Sequence, residues 1–229
     1  MIKLIMFDLD DTLIDHHAGA QQAMHTLSKL IVELGYADNM YDFSTFYDAY
    51  EKYNLALWPL FEKGQIDIAT LLARRFTYIH DWFEINKIHQ KQIKDAFWDT
   101  YVKNCPLISG WIFILQKLHS KFFLAICSNG METIQRQKLM HNNLLPLFHR
   151  LYFGSSHPNC KPDPAFYLKI LSDFHVKPEN VLMIGDSIKN DINPCKELGM
   201  QTLHYSGTTS FQQIYKSITE LINGSDIYS

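Results

Sequence analysis

The chain has 229 residues, 47% of them hydrophobic and 20% charged, which suits one large domain or a medium domain with an insert and argues against global disorder. Its 21 basic and 24 acidic residues leave a formal charge of −3, which excludes a strongly basic binder of nucleic-acid polymers. Residues 2–7 form an apolar run too short for a signal peptide, and no stretch approaches the roughly 18 apolar residues of a membrane span, so a cytoplasmic protein that makes no membrane contact is expected.

In chain order, a first β-rich run covers 4–9. Helical patterns then follow near 17–35, 42–53, 66–84 and 87–101, with no convincing strand among them. This stretch is dense in rings such as Phe46, Tyr50, Trp58, Phe76 and Trp98, as expected for a small helical bundle. From about residue 104 the texture changes. Short β-rich runs at 122–128, 151–153, 181–184 and 201–204, most of them largely apolar, alternate with helical patterns near 109–119, 131–142, 164–174, 188–198 and 210–222. Continuous apolar runs of this length read as strands buried on both faces, and strand–helix alternation means right-handed crossovers in a parallel sheet. The fold class is therefore α/β, a Rossmann-like parallel core of residues 1–15 and 104–229 interrupted by a helical module at 16–103. Cys105, Cys127, Cys160 and Cys195 are too far apart for a zinc site and read as reduced thiols.

Four segments carry chemistry, each at the end of an expected strand, where open parallel sheets bind their ligands. Asp8 and Asp10 end the first strand two residues apart, so they can address one ligand, and Asp11 crowds beside them. Three acids together call for a cation or a basic side chain, and a hard oxygen-seeking Mg²⁺ suits them, although a solvated acidic turn reads the same way. Ser128 and Asn129 open the helix after the second strand, as an anion site or as a plain helix cap. Lys161 stands in Cys160-Lys161-Pro162-Asp163-Pro164, held extended by the following proline, to neutralise phosphate or simply to face solvent. Finally Gly185-Asp186-Ser187-Ile188-Lys189-Asn190-Asp191 delivers two more acids, Asp186 to complete a metal site with Asp8 and Asp191 to orient Lys161 or a metal-bound water.

Acid, hydroxyl, lysine and acid in that order, each after its own strand, resemble the haloacid dehalogenase-like hydrolases over essentially the whole chain. Residues 16–103 look like the helical cap of the first type. The resemblance implies a Mg²⁺-dependent phosphomonoesterase acting through an aspartyl-phosphate on a small phosphate ester. It implies Asp8 as nucleophile and metal ligand, and Asp10 as general acid and base whose backbone carbonyl also binds metal. Thr12 would brace the loop, Ser128 and the Asn129 backbone would hold phosphate oxygens, and Lys161 would tether nucleophile and phosphoryl group. Asp186 would be the second carboxylate ligand, with Asp191, Ser187 and Asn190 in support. The acid at Asp10 argues against a dehalogenase, because a halide leaves without a proton. The loop 155–160 departs from the family by lacking the glycine usual before the lysine.

Within the helical module, Asn54-x-x-Leu57-Trp58, Gly64-x-Ile66 and Arg75-Phe76 are similar to bacterial pyrimidine 5′-nucleotidases, which implies a nucleoside 5′-monophosphate as substrate. Phosphosugar phosphatases share the same core and cap type, and a binding module without turnover is the reading outside enzymes. A buried Arg75 is expected to need a carboxylate partner. Asp15-His16-His17 falls where the chain enters the module, and hinges are expected near 15–19 and 100–107. Cys127 and Cys160 flank Ser128 and Lys161, which raises a question of redox sensitivity. The sequence sets no oligomeric state.

Overall fold

The computed structural model describes residues 1–207 and 209–224, and these divide into two compact units, Met1–His16 with Pro106–Ser229 and His17–Cys105. The first holds five parallel strands: β1 (Leu4–Phe7), β2 (Phe123–Ser128), β3 (Arg150–Phe153), β4 (Val181–Gly185) and β5 (Gln201–His204), in the spatial order β3-β2-β1-β4-β5. All four pairings are parallel, so the fold is the expected α/β one. β1 is central, with Phe7 level with Ile126 on one side and Ile184 on the other.

The strands' two-residue period splits the core into two layers. Leu4 and Met6 join Ala125, Cys127, Val181 and Met183 against Phe166, Tyr167, Ile170 and Leu171 of α7 (Pro164–Phe174). On the other face, Phe7 meets the Trp111 ring edge-on at 5.7 Å, and Trp111 opens α5 (Trp111–His119). Of the remaining helices of this unit, α6 (Glu132–His141) follows β2, α8 (Asn193–Glu197) follows β4 and α9 (Phe211–Gly224) follows β5.

Two elements differ from the reading of the sequence for visible reasons. β1 stops at Phe7 rather than residue 9: Asp8 N still donates to Ile184 O, but Leu9 O accepts from Leu13 N and Ile14 N and turns the chain. The helix read at 188–198 is a π-helical turn, Ile188–Ile192, followed by α8. Pro194 has no N–H for the Asn190 carbonyl four residues back, and the Tyr167 hydroxyl donates to that carbonyl instead.

The second unit is helical: α1 (His16–Glu33), α2 (Phe43–Glu62), α3 (Ile68–Trp82) and α4 (Lys87–Lys103). Asp42, Asp67 and Asn86 cap the last three by accepting from Ser44 N, Thr70 N and Ile88 N. α2 runs nine residues past the end read at 53, through Pro59, because Leu57 and Phe61 continue the buried stripe begun by Phe46 and Tyr50. Their burial outweighs the backbone hydrogen bond that proline removes. Leu27, Ile31, Phe46, Tyr50, Phe76, Ile79 and Phe97 form the core, with Phe76 edge-on to Phe97 at 5.5 Å. Phe76 is buried, while Trp58, Ile66 and Trp98 are half-buried.

Candidate active site

The carboxyl ends of β1, β2 and β4 and the loop after β3 bring the expected side chains together on one edge of the sheet. Asp8 follows β1 with its backbone still in the ladder, so a rigid strand places its carboxylate. Lys161 Nζ donates to Asp8 Oδ1 and to Asp191 Oδ1, both at 2.6 Å, and all three side chains are almost wholly buried. Thr12 Oγ1 makes long hydrogen bonds to Asp8 Oδ2 (3.4 Å) and Asp186 Oδ1 (3.3 Å), which ties β1 to β4.

The loop after β4 is built around Asp191. Asp191 Oδ2 accepts from Ser187 N at 3.0 Å, and Ser187 Oγ accepts from Asn190 N at 3.1 Å. Gly185 makes this arrangement possible: a Cβ there would lie 2.4 Å from Asp191 Oδ2 and 2.6 Å from its Cβ. His204, at the end of β5, meets the Asp186 carbonyl at 2.8 Å.

Charge in this cluster is unbalanced. Asp8, Asp186 and Asp191 each place a carboxylate oxygen within 4.8 Å of the others, around the single Lys161 ammonium. Burial, against the pull of Lys161 and reinforced by Asp191 and Asp10, pushes Asp8 up to about 7. Burial and the neighbouring Asp8 push Asp186 up to about 6. Burial likewise raises Asp191, whereas Lys161 is held well above its ordinary value because Asp191 and Asp8 outweigh its own burial. An all-oxygen donor set carrying excess buried negative charge fits a hard divalent cation such as Mg²⁺. The donors that would hold it are the Asp8 and Asp186 carboxylates with the Asp10 carbonyl.

Asp10 has partners the sequence reading missed. Lys138 Nζ donates to its Oδ1 and Gln135 Nε2 to its Oδ2, both at 2.6 Å, and both donors are buried in α6. Burial works to raise Asp10, but the Lys138 ammonium, His16 and the two hydrogen bonds outweigh it and hold the carboxyl below its ordinary value. Gln135 Nε2 also reaches Ser128 Oγ at 2.8 Å, and that oxygen accepts from Gly130 N at 3.2 Å. His16 pairs with Asp11 at 2.6 Å, and Asp11 adopts the left-handed conformation (φ 59°) that aspartate tolerates.

Asn129 also does more than its position suggested. Its side chain clamps the Lys161 backbone, accepting from Lys161 N at 2.9 Å and donating to Lys161 O at 2.7 Å. The loop without the usual glycine is thereby anchored at Lys161 itself. Cys127 is fully buried and burial pushes its thiol well up, an environment that suppresses thiolate chemistry. No helix among the described residues is long and apolar enough to cross a membrane.

This parallel α/β fold, with carboxylates from two strands and a lysine converging on one edge, belongs to a known class of enzyme. The model of the haloacid dehalogenase-like hydrolases matches residues 2–199. The chain belongs to that family, as a hydrolase of its phosphatase kind. It is 30% identical over 208 residues to the pyrimidine 5′-nucleotidase PynA of Streptococcus pneumoniae, covering 89% of this chain and 84% of that protein. It is 28% identical over 208 residues to a glyceraldehyde 3-phosphate phosphatase of Pyrococcus furiosus, covering 89% and 80%. Its fold superposes on the HAD-hydrolase YfnB of Bacillus subtilis, solved with magnesium bound, with a TM-score of 0.80 at 20% identity over 96% of this chain and 99% of that one.

Proposed function

We propose that the protein is a Mg²⁺-dependent phosphomonoesterase that works through an aspartyl-phosphate on Asp8, with a nucleoside 5′-monophosphate as its substrate. The observation that carries this reading is the Lys161 ammonium, held at 2.6 Å from both Asp8 and Asp191 beside a strand-borne carboxylate pair. Asp8, buried just past the end of β1, has one oxygen paired with Lys161 and a second that accepts from the Thr12 hydroxyl, so it attacks phosphorus from a fixed direction.

In the first step an Asp8 oxygen bonds to phosphorus and the ester P–O bond breaks. Asp10, a carboxylate at rest beside Lys138, takes the proton of an incoming phosphate monoanion and passes it to the departing alkoxide. In the second step Asp10, now a carboxylate, takes a proton from water, the resulting hydroxide attacks phosphorus, and the Asp8–phosphorus link breaks to release phosphate. Lys161 stays against Asp8 throughout and balances the charge of the phosphoryl oxygens, while the Ser128 hydroxyl and the Asn129 backbone bind those oxygens. Mg²⁺, when bound, supplies Lewis-acid neutralisation of carboxylate and phosphate charge. Asp10 itself favours ester hydrolysis over dehalogenation, since an alkoxide needs a proton and a halide does not.

The nucleotide assignment is supported by the likeness to PynA and by the sequence pattern Asn54, Leu57, Trp58, Gly64, Ile66, Arg75 and Phe76 in the helical unit, which we read as the cap. There Leu57 and Phe76 serve the core, and Trp58 and Ile66 are half-buried. A phosphosugar substrate is the second reading, favoured by the Pyrococcus furiosus relative and by a phosphoglycolate phosphatase of Aquifex aeolicus at 30% identity. Phosphate release with Mg²⁺ across nucleoside monophosphates and sugar phosphates, using Asp8→Asn as control, decides between them. Preferential turnover of pyrimidine monophosphates supports the first reading, and preferential turnover of sugar phosphates the second. Undiminished release by Asp8→Asn would remove the covalent mechanism.

A further inference from the structure

Lys138 is 1% exposed, and a buried ammonium is a poor way to stabilise a helix that could carry leucine or methionine there. Its 2.6 Å contact with Asp10 Oδ1 gives the burial a direction. Three residues earlier on the same face of α6, Gln135 sends one amide nitrogen to both Asp10 Oδ2 and Ser128 Oγ. Gln135 Oε1 is buried without a hydrogen-bond partner, a cost accepted to aim the amide nitrogen at those two oxygens. Gly130 leaves the space for it, since a Cβ there would lie 2.3 Å from Gln135 Nε2. Both oxygens of the Asp10 carboxylate are thus fixed from α6, and the same amide ties Asp10 to Ser128 after β2.

We propose that Lys138 and Gln135 are positioning residues for Asp10, aiming its carboxyl at the leaving-group oxygen of an ester whose phosphate is held at Ser128. The proposal rests on the phosphomonoesterase reading above. Neither side chain needs to touch substrate. Each acts through Asp10, so their loss should appear where proton transfer limits the rate and not in substrate affinity.

The test follows single-turnover release of the alcohol, the step that precedes hydrolysis of the aspartyl-phosphate and therefore reads only the acid role of Asp10, with the half-saturating substrate concentration as KM. The substrates are an alkyl phosphate, such as a nucleoside 5′-monophosphate, and p-nitrophenyl phosphate, whose leaving group departs without a proton. Lys138→Met and Gln135→Leu are expected to lower the rate of alcohol release from the alkyl ester by about 10²-fold, the lower end of what general acid–base catalysis supplies. The aryl ester should lose much less in this step, and both KM values should hold. Lys138→Arg, which keeps the cation, should restore most of the alkyl rate. Should Lys138→Met fail to fold, Gln135→Leu carries the same comparison. Equal losses for the two esters, a change in KM alone, or no rescue by arginine overturns the positioning role while Asp8-dependent hydrolysis stands. Wild-type protein that hydrolyses neither ester, or Asp8→Asn that hydrolyses both, overturns the phosphatase reading and the positioning role with it.

Discussion

Asn129 and Lys161, 32 residues apart, hold each other through a reciprocal pair: Asn129 Oδ1 accepts from Lys161 N and Asn129 Nδ2 donates to Lys161 O. The side chain that directly follows β2 therefore fixes the backbone that carries the lysine after β3. Lys161 Nζ then reaches Asp8 and Asp191 from a backbone that cannot drift.

Replacing Asn129 by alanine removes both bonds while leaving its backbone N–H in place. Misplacement of a catalytic group by about 1 Å costs on the order of 10²-fold in rate, so kcat for phosphate release should fall by about that factor. Steady-state kinetics on Asn129→Ala beside Lys161→Ala measures it, and the two variants should be impaired to a similar degree. A fully active Asn129→Ala would show that Asp8 and Asp191 locate the lysine without help.

The carboxylate cluster predicts how Mg²⁺ and pH act together on stability. Asp8 moves from 3.8 to about 7 and Asp186 from 3.8 to about 6 on folding. Between about pH 4 and 7 the folded chain therefore holds more protons than the unfolded one, and stability falls as pH rises through that window. Asp10, shifted the other way, acts only below its ordinary value, and His16, raised by Asp11 and Asp10 against its own burial, adds a decline above about pH 6.5. A bound divalent cation relieves the penalty on Asp8 and Asp186 but leaves the His16 contribution. After treatment with EDTA the melting temperature should drop between pH 5 and 7.5, and added Mg²⁺ should raise it more at pH 7.5 than at pH 5. An equal Mg²⁺ increment at both pH values would contradict the assignment of the metal to these two carboxylates.

The sequence announced the sheet and the edge far better than it announced what steadies them. Continuous apolar runs can only be buried strands here, and acids or hydroxyls after such runs have one place to go in a parallel sheet. Lys138 and Gln135 gave no such signal. In Gln135-Arg136-Gln137-Lys138 they read as a solvated helix face, and the partner that buries them, Asp10, lies 125 to 128 residues away. Asn129 was legible as a residue of the site but not as a clamp, because its partner is a main chain and main chain has no letter. The π-helical turn was half legible: Pro194 shows where a helix must break, while the Tyr167 hydroxyl that takes over the Asn190 carbonyl comes from another helix.

The Asp10–Lys138 pair should respond asymmetrically to deletion. The Lys138 side chain is 1% exposed and that of Asp10 29%, so removing Asp10 takes a carboxylate from a buried ammonium while removing Lys138 leaves a carboxylate that water can reach. Asp10→Ala should cost about 3 kcal/mol of unfolding free energy, the lower end for a broken buried pair. Lys138→Met should cost about 1 kcal/mol, within the range of an ordinary substitution. Urea denaturation of the two variants compares them directly. Equal losses would show that the Lys138 ammonium does not depend on Asp10 for its compensation.

Arg75 is half-buried, so the condition under which a carboxylate partner was expected is not met; among the described residues its charge is met in another way. Its Nε and Nη2 donate to the Tyr50 hydroxyl at 3.0 and 2.8 Å, and its guanidinium lies within 5.9 Å of the ring centroids of Tyr50, Phe97 and Trp98. Ring faces attract a cation without bringing a buried anion, and half-burial spares Arg75 the full cost of desolvation. The hydroxyl is then the one directional acceptor in the group. Tyr50→Phe removes it while keeping the ring, and hydrogen bonds to charged groups contribute about 1.5 to 3 kcal/mol, so a loss of about 1.5 kcal/mol is expected. Tyr50→Leu, which removes ring and hydroxyl together from a side chain only 2% exposed, should cost more. If Tyr50→Phe melts with the wild type in urea, the three ring faces alone hold the guanidinium, and the hydroxyl contributes geometry rather than stability.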